Sequence, residues 1–69
     1  MTLGIAIAVA RKRKGLRLLD LEKRSGVARS VLSRIETGKI EPSFRKVVKI
    51  ARVLGISLER LAKAEARQP

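Results

Sequence analysis

The chain has 69 residues, neither cysteine nor histidine, and a formal net charge of +11 from 17 Lys and Arg against 6 Asp and Glu. This length suits one small domain, and the composition excludes disulfides, the usual zinc ligands and the Ser-His or Cys-His pairs of nucleophilic catalysis. We therefore expect no enzyme, metal or cofactor, and a polyanionic partner.

Nucleic acid and an anionic membrane surface are the candidate partners. Phe44 is the single aromatic residue, whereas proteins that bind RNA or single strands usually stack bases on several aromatic rings. No segment reaches the roughly 18 consecutive apolar residues of a membrane span, and the N-terminal apolar run carries its charges after it, unlike a signal peptide. The composition favours a cytoplasmic protein that binds duplex DNA and no membrane.

The first predicted helix covers residues 3–14, with Thr2 as its N-terminal cap and Gly15 at its end. Its core stripe has helical spacing and consists of Leu3, Ile7 and Ala10. The basic run 11–14 suits the negative end of the helix dipole and supplies cations for phosphate contacts. Two apolar residues lie off the stripe and either form an exposed strip or belong to a wider core, Ile5 and Val9.

A helix-turn-helix is predicted over residues 18–36. Apolar residues three positions apart mark the inward faces of two short helices, 18–25 and 29–36; they are Leu18, Leu21, Leu32 and Ile35. Gly26 allows the positive φ that ends one helix and turns the chain, and Val27 faces inward at the bend. An ordinary helical hairpin with a solvated basic face would show the same repeats, and the net charge favours DNA binding.

The outer face of the second motif helix carries polar side chains, namely Arg29, Ser30, Ser33 and Arg34. In a helix-turn-helix, the N-terminal half of this recognition helix meets base edges in the major groove. Arginine makes a bidentate contact with guanine, so Arg29 and Arg34 are the leading candidates for base contacts.

A polar turn and a fourth helix follow the motif. Gly38 is expected to close the third helix with a positive φ, and Ser43 to cap a helix over 44–54 that ends at Gly55. Its apolar positions keep helical spacing, at 44, 47, 48, 51 and 54. The helix dipole disfavours cations in the first turn, so contact with DNA phosphates would explain the two found there, Arg45 and Lys46.

The fifth predicted helix has Ser57 as its cap. The residues expected to face inward are Leu58, Leu61 and Ala62. Residues 64–69 are expected to fray, which leaves a DNA-binding domain over 1–63 and a C-terminal tail over 64–69. The predicted fold class is all-α, a compact five-helix domain.

Two segments resemble the phage repressor/Cro family, also called the XRE family: SGVARSVLSRIETGKIEPS (25–43) and VVKIARVLGISLERL (47–61). The resemblance covers residues 3–61. It implies a repressor-like domain in which helices 2 and 3 form the helix-turn-helix. It also implies a sequence-specific transcriptional regulator, expected to be a repressor, that binds its operator as a homodimer and associates with the nucleoid.

The resemblance also implies roles for single residues. The positions that approach bases correspond to Ala28, Arg29, Ser30 and Arg34. The positions near phosphates correspond to Arg11, Arg17, Thr37 and Lys39. Arg11 has a second expected role, because the family often pairs an arginine here with a glutamate at the position of Glu36. Val31 either contacts a thymine methyl group or packs inward.

Some positions depart from the family pattern. Glu22 stands where the family usually has a small residue, and a buried charge there would cost several kcal/mol without a partner. Arg29 and Arg11 are the candidate partners, unless Glu22 reaches water. Arg17 and Ala28 stand where Ser or Thr commonly caps the two motif helices, and each lost cap costs on the order of 1 kcal/mol.

Two alternative functions stay open. The first is the antitoxin of a toxin-antitoxin pair, which would bind its operator and, through helix one or five, a protein partner. The second is a protein-interaction module that has kept the fold and lost specific DNA binding, which Glu22 and the missing caps would favour. The candidates for a homodimer interface are the fifth helix and the apolar residues Leu19, Ile5 and Val9.

Overall fold

A computed structural model describes residues 2–66, with side chains up to Lys63, and this range contains helices and no strand. The helices are α1 (Leu3–Arg13), α2 (Leu18–Ser25), α3 (Arg29–Glu36), α4 (Phe44–Leu54) and α5 (Leu58–Ala66). The predicted all-α class and five-helix order are confirmed. Of the tail predicted over 64–69, residues 64–66 belong to α5, and 67–69 lie outside the described residues. None of these five helices combines the length and the apolar character needed to cross a membrane.

Local caps set most of the helix ends. The Oγ1 of Thr2 accepts a hydrogen bond from the Ile5 N–H at 3.0 Å, and the Oγ of Ser43 accepts one from the Lys46 N–H at 3.3 Å. Ser57 caps α5 in the same way. Glycines with positive φ follow the first four helices, namely Gly15, Gly26, Gly38 and Gly55.

The two motif helices, α2 and α3, pack together with α1 and α4 around one core. Helix α1 packs against α3, α4 and α5, and α2 packs against α3 and α4. The largest fully buried side chains come from four helices and are Ile7, Leu21, Leu32, Ile35 and Ile50. Burying one such side chain stabilises the fold by about 1.5–3 kcal/mol. Val27 is 4% exposed, so the turn between α2 and α3 is anchored in the same core.

The apolar faces of α4 and α5 differ from the predicted ones. Phe44 is 74% exposed, whereas Ile50, absent from the predicted stripe, is fully buried. Helical side chains lean toward the N-terminus, so the side chain of the first residue of α4 points past the helix end. Of the residues predicted to face inward from α5, Leu61 is buried, while Leu58 and Ala62 are exposed.

Gly4 marks a close approach between α1 and α3. A Cβ atom at Gly4 would collide with the carbonyl oxygen of Ile35 and would lie 3.1 Å from that of Glu36. Glycine therefore allows the backbone of α1 to cross the C-terminal end of α3 in direct contact.

Candidate nucleic-acid interface

The turn between α2 and α3 positions the candidate interface. Gly26 has a φ of 78°, and its N–H donates to the carbonyl oxygen of Glu22 at 2.9 Å. A side chain would be strained at this φ, so the sharp end of α2 depends on glycine. The Oγ of Ser25 accepts a hydrogen bond from the Val27 N–H at 3.1 Å and holds the bend. Helix α3 then begins at Arg29.

Helix α3 has a buried apolar face and an exposed polar face. Leu32 and Ile35 are at most 1% exposed. Four of the residues predicted to contact bases are exposed at the start of the helix and on its outer side, Ala28, Arg29, Ser30 and Arg34. Ser33 is partly buried, and Val31 is partly buried and packs against the core. The outer face of α3 therefore presents two arginines and a serine to solvent.

Glu22 replaces the missing cap of α3. Its Oε2 accepts a hydrogen bond from the backbone N–H of Arg29 at 3.1 Å, whereas Ala28, at the N-cap position, has no side-chain acceptor. Of the partners expected for Glu22, Arg29 is the one present, through its backbone N–H. The carboxylate also lies at the positive end of the α3 dipole, where an anion contributes about 0.3–1 kcal/mol. Glu22 thereby ties α2 to the first turn of α3.

The variant Glu22→Ala is expected to lower the free energy of unfolding by about 1 kcal/mol, as other lost N-caps do. The matched control is Glu22→Gln, because the amide oxygen still accepts the Arg29 N–H while the charge is gone. Urea denaturation followed by circular dichroism measures both. Equal losses in the two variants would contradict a capping role for the hydrogen bond.

The N-terminal end of α2 also has an acidic cap. The backbone N–H of Arg17 donates to Oδ2 of Asp20 at 2.8 Å, and its Nε donates to the same oxygen at 3.1 Å. The side-chain and backbone hydrogen bonds from Arg17 lower the pKa of the Asp20 carboxyl group from 3.8 to about 2. An acid three residues after the N-cap is the capping-box pattern, so the sequence contained this signal. A phosphate bound to Arg17 would compete with Asp20 for the guanidinium group.

The ion pair predicted between Arg11 and Glu36 is present. The Nε of Arg11 donates to Oε2 of Glu36 at 2.7 Å, and Nη2 donates to Oε1 at 2.9 Å. The remaining nitrogen, Nη1, donates to the carbonyl oxygen of Leu16 at 2.8 Å. Nothing in the sequence predicted this contact. These hydrogen bonds to Glu36 raise the pKa of the Arg11 guanidinium. The side chain of Arg11 is 11% exposed. This near burial disfavours the phosphate contact predicted for Arg11, which stays a prediction.

The other residues predicted to lie near phosphates are exposed: Arg17, Thr37, Lys39, Arg45 and Lys46. Apart from Arg17, the cations of this set form no ion pair within residues 2–63, and the same holds for Arg29 and Arg34. The Oγ1 of Thr37 donates to the carbonyl oxygen of Ser33 at 2.9 Å, so donation to a phosphate would require this bond to break. The first turn of α4 contains no acidic residue, which leaves its two cations without a neutralising neighbour there.

A relative of known class shares part of this sequence. The chain is 42% identical over 40 residues to the uncharacterized HTH-type transcriptional regulator MJ0272 of Methanocaldococcus jannaschii. The match covers 58% of this chain and 61% of the relative. The aligned part of the chain thus spans less than two thirds of that protein.

A solved structure and a family model extend the likeness to most of the chain. The crystal structure of SinR, the master regulator for biofilm formation, in complex with DNA has a TM-score of 0.84 and 37% identity to this chain. The superposition covers 88% of this chain and 98% of the SinR chain. The model of a helix-turn-helix family matches residues 7–61. The chain therefore belongs to this helix-turn-helix family, the phage repressor/Cro (XRE) type that its motifs resemble.

Proposed function

We propose that the chain is a sequence-specific transcriptional regulator that binds duplex DNA and contacts bases in the major groove with α3. The observation that carries this proposal is the two-sided character of α3. Arg29, Ser30 and Arg34 are exposed on one side, while the residues on the other side are buried in the core. The recognition helix of a helix-turn-helix enters the major groove in this way. The structure of the similar protein SinR with DNA supports the same partner.

The charge distribution supports a duplex rather than a single strand. The net charge of +11 comes with one aromatic residue, so phosphate attraction is strong and base stacking is not available as the main interaction. The proposed phosphate contacts are Arg17, Thr37, Lys39, Arg45, Lys46 and, with less exposure, Arg11. The proposed base contacts are Ala28, Arg29, Ser30 and Arg34 and, with less exposure, Val31 and Ser33.

The regulator is proposed to act as a homodimer and as a repressor, in the cytoplasm and on the nucleoid. Two copies would present their α3 helices to half-sites about one helical turn apart, roughly 34 Å. Occupation of an operator that overlaps a promoter excludes the polymerase by volume alone, so repression needs no further contact. Sedimentation of the protein with a palindromic duplex is expected to give two protomers per duplex. One protomer per duplex at micromolar concentration would remove the homodimer from the proposal.

The hypothesis of a protein-interaction module that has lost DNA binding depended on Glu22 and on two missing caps. Glu22 caps α3, and Asp20 caps α2. These features are therefore compatible with an intact motif and no longer favour that hypothesis. The antitoxin hypothesis requires a protein-binding surface in addition to α3.

Selection of binding sites from a random duplex library, at about 150 mM salt, tests base contact by α3. We expect a palindromic site in which Arg29→Ala relaxes the preference at one position per half-site, by about 1–3 kcal/mol of discrimination. The control is Arg52→Ala, which removes an exposed cation of α4 outside the proposed interface and is expected to leave the selected sequence unchanged. Absence of any enriched site, or an unchanged preference in Arg29→Ala, would refute the proposal.

A further inference from the structure

A groove of about 520 Å³ lies between α1, the end of α4 and α5. Its floor is apolar and consists of Ala6, Val9, Ala10, Leu54, Ile56 and Leu61. Val9 lines this groove; the sequence had predicted that it belongs either to an exposed strip or to a wider core. No residue that lines it belongs to α2 or α3, so the α1/α5 groove is separate from the motif proposed to bind DNA.

Cations line the α1/α5 groove and no acidic residue does, among the described side chains. Arg13 and Lys14 stand at the end of α1, and Arg60 and Lys63 stand on α5. All four are exposed. Lys63 has a partner in Glu59 at 3.5 Å, while the other three form no ion pair within residues 2–63. An apolar floor between cations is complementary to a ligand that has an apolar stripe bordered by carboxylates.

A second copy of the chain is a poor ligand for this groove. Each copy carries a net charge of +11, and two grooves brought face to face would place like charges against each other. A DNA backbone is also a poor ligand, because its phosphates offer nothing to cover the apolar floor. The homodimer proposed above then forms through another face.

We propose that the α1/α5 groove binds an acidic amphipathic helix of a partner protein. Such a helix places apolar residues at positions i, i+3, i+4 and i+7 into a hydrophobic groove. Its flanking carboxylates would pair with Arg13 and Lys14 at the end of α1 and with Arg60 and Lys63 on α5. The groove shares no residue with α3 or with the exposed side chains proposed to contact phosphates, and Arg13 and Lys14 of the basic run 11–14 then face the partner and not the DNA. We therefore expect the partner to bind the regulator while the regulator is on DNA.

The first test uses a fluorescent peptide of about four helical turns, with leucine at the four groove positions and glutamate beside them. The controls are the same peptide with lysine for glutamate, and a scrambled peptide of identical composition. Both controls are expected to bind at least about tenfold more weakly, because one loses the charge complementarity and the other the apolar stripe. Amide chemical shifts of the whole protein are expected to change along the groove and not in α3. Equal binding of either control, or changes centred on α3, would overturn the proposal.

The second test changes the groove. The double variant Arg13→Glu/Arg60→Glu reverses one cation on each side and is expected to weaken peptide binding at least about tenfold. The matched control Lys49→Glu/Arg52→Glu makes the same change in net charge on exposed positions of α4 outside the groove. It is expected to keep the affinity within about twofold, as independent distant sites do. If the control weakens binding as much as the groove variant, net charge alone attracts the peptide and the proposal fails.

The third test separates a protein partner from DNA as the ligand of these cations. Peptide affinity is measured with and without a saturating duplex of random sequence, so the result does not depend on an operator having been found. We expect a ternary complex with peptide affinity changed by less than about threefold, because the sites share no residue. Displacement of the peptide by the duplex would mean that the cations of the groove bind phosphates, and would overturn the proposal.

Discussion

Replacing Glu36 by alanine is expected to lower the free energy of unfolding by about 3–5 kcal/mol, the usual cost of removing one partner of a buried ion pair. The side chains of Arg11 and Glu36 are 11% and 9% exposed, and Glu36 accepts from two of the three guanidinium nitrogens. Only the carbonyl oxygen of Leu16 would remain as an acceptor. A domain of this length has a total stability of roughly 3–10 kcal/mol, so the variant loses a large part of it.

Urea denaturation followed by circular dichroism measures this loss. The double variant Arg11→Met/Glu36→Leu removes both charges and is expected to recover part of the stability, since apolar side chains can replace a buried pair at little cost while the carbonyl oxygen of Leu16 loses its donor. The comparison variant is Glu59→Ala, which removes the partner of an exposed lysine and is expected to cost less than about 1 kcal/mol. A Glu36→Ala loss as small as this one would contradict a structural role for the pair.

The variant Gly4→Ala is expected to destabilise the protein by about 1–3 kcal/mol or more, as overpacking of a core does. In an exposed helix interior the same substitution stabilises by roughly 0.5–1 kcal/mol. At Gly4 the new Cβ meets the backbone carbonyl of Ile35, which is fixed within α3 and cannot rotate aside. Helix α1 must therefore move away from the end of α3, and this movement also strains the pair that Arg11 forms with Glu36.

Thermal unfolding of Gly4→Ala and of a reference variant, Lys12→Ala, measures the effect. Lys12 is exposed on the same helix, and its replacement is expected to change stability by less than about 0.5 kcal/mol. Chemical-shift changes in the folded Gly4→Ala variant are expected at the C-terminal end of α3. An increase in stability would show that α1 and α3 are not in backbone contact.

The sequence predicted the bounds of α2, α3 and α4 as the structure has them, because the signals that set them are local. The cap of α4 at Ser43 and its end at Gly55 each act within three or four residues. The exposure of Arg29, Ser30 and Arg34 was predictable for a related reason. Once Leu32 and Ile35 are buried, helical geometry leaves these residues on the other side.

Contacts between elements could not be predicted in this way. The bond from the Arg29 N–H to Glu22, and the approach of Gly4 to Ile35, depend on the angles at which helices cross. The spacing of apolar residues also predicts which face of a helix a side chain lies on, but not whether another helix packs against that position. Phe44 keeps the spacing of the α4 stripe, yet it is the first residue of the helix and is 74% exposed.

The capping of α3 by Glu22 affects how DNA-sequence specificity could be transferred to a related protein by grafting α3. Grafting residues 29–36 alone into a relative with a small residue at position 22 would import the two arginines on a helix whose first turn has lost its acceptor. The graft would then fray at the end that carries Arg29. Residues 18–36 are the smallest segment of whole helices that keeps the proposed base-contacting side chains together with the carboxylate that caps their helix.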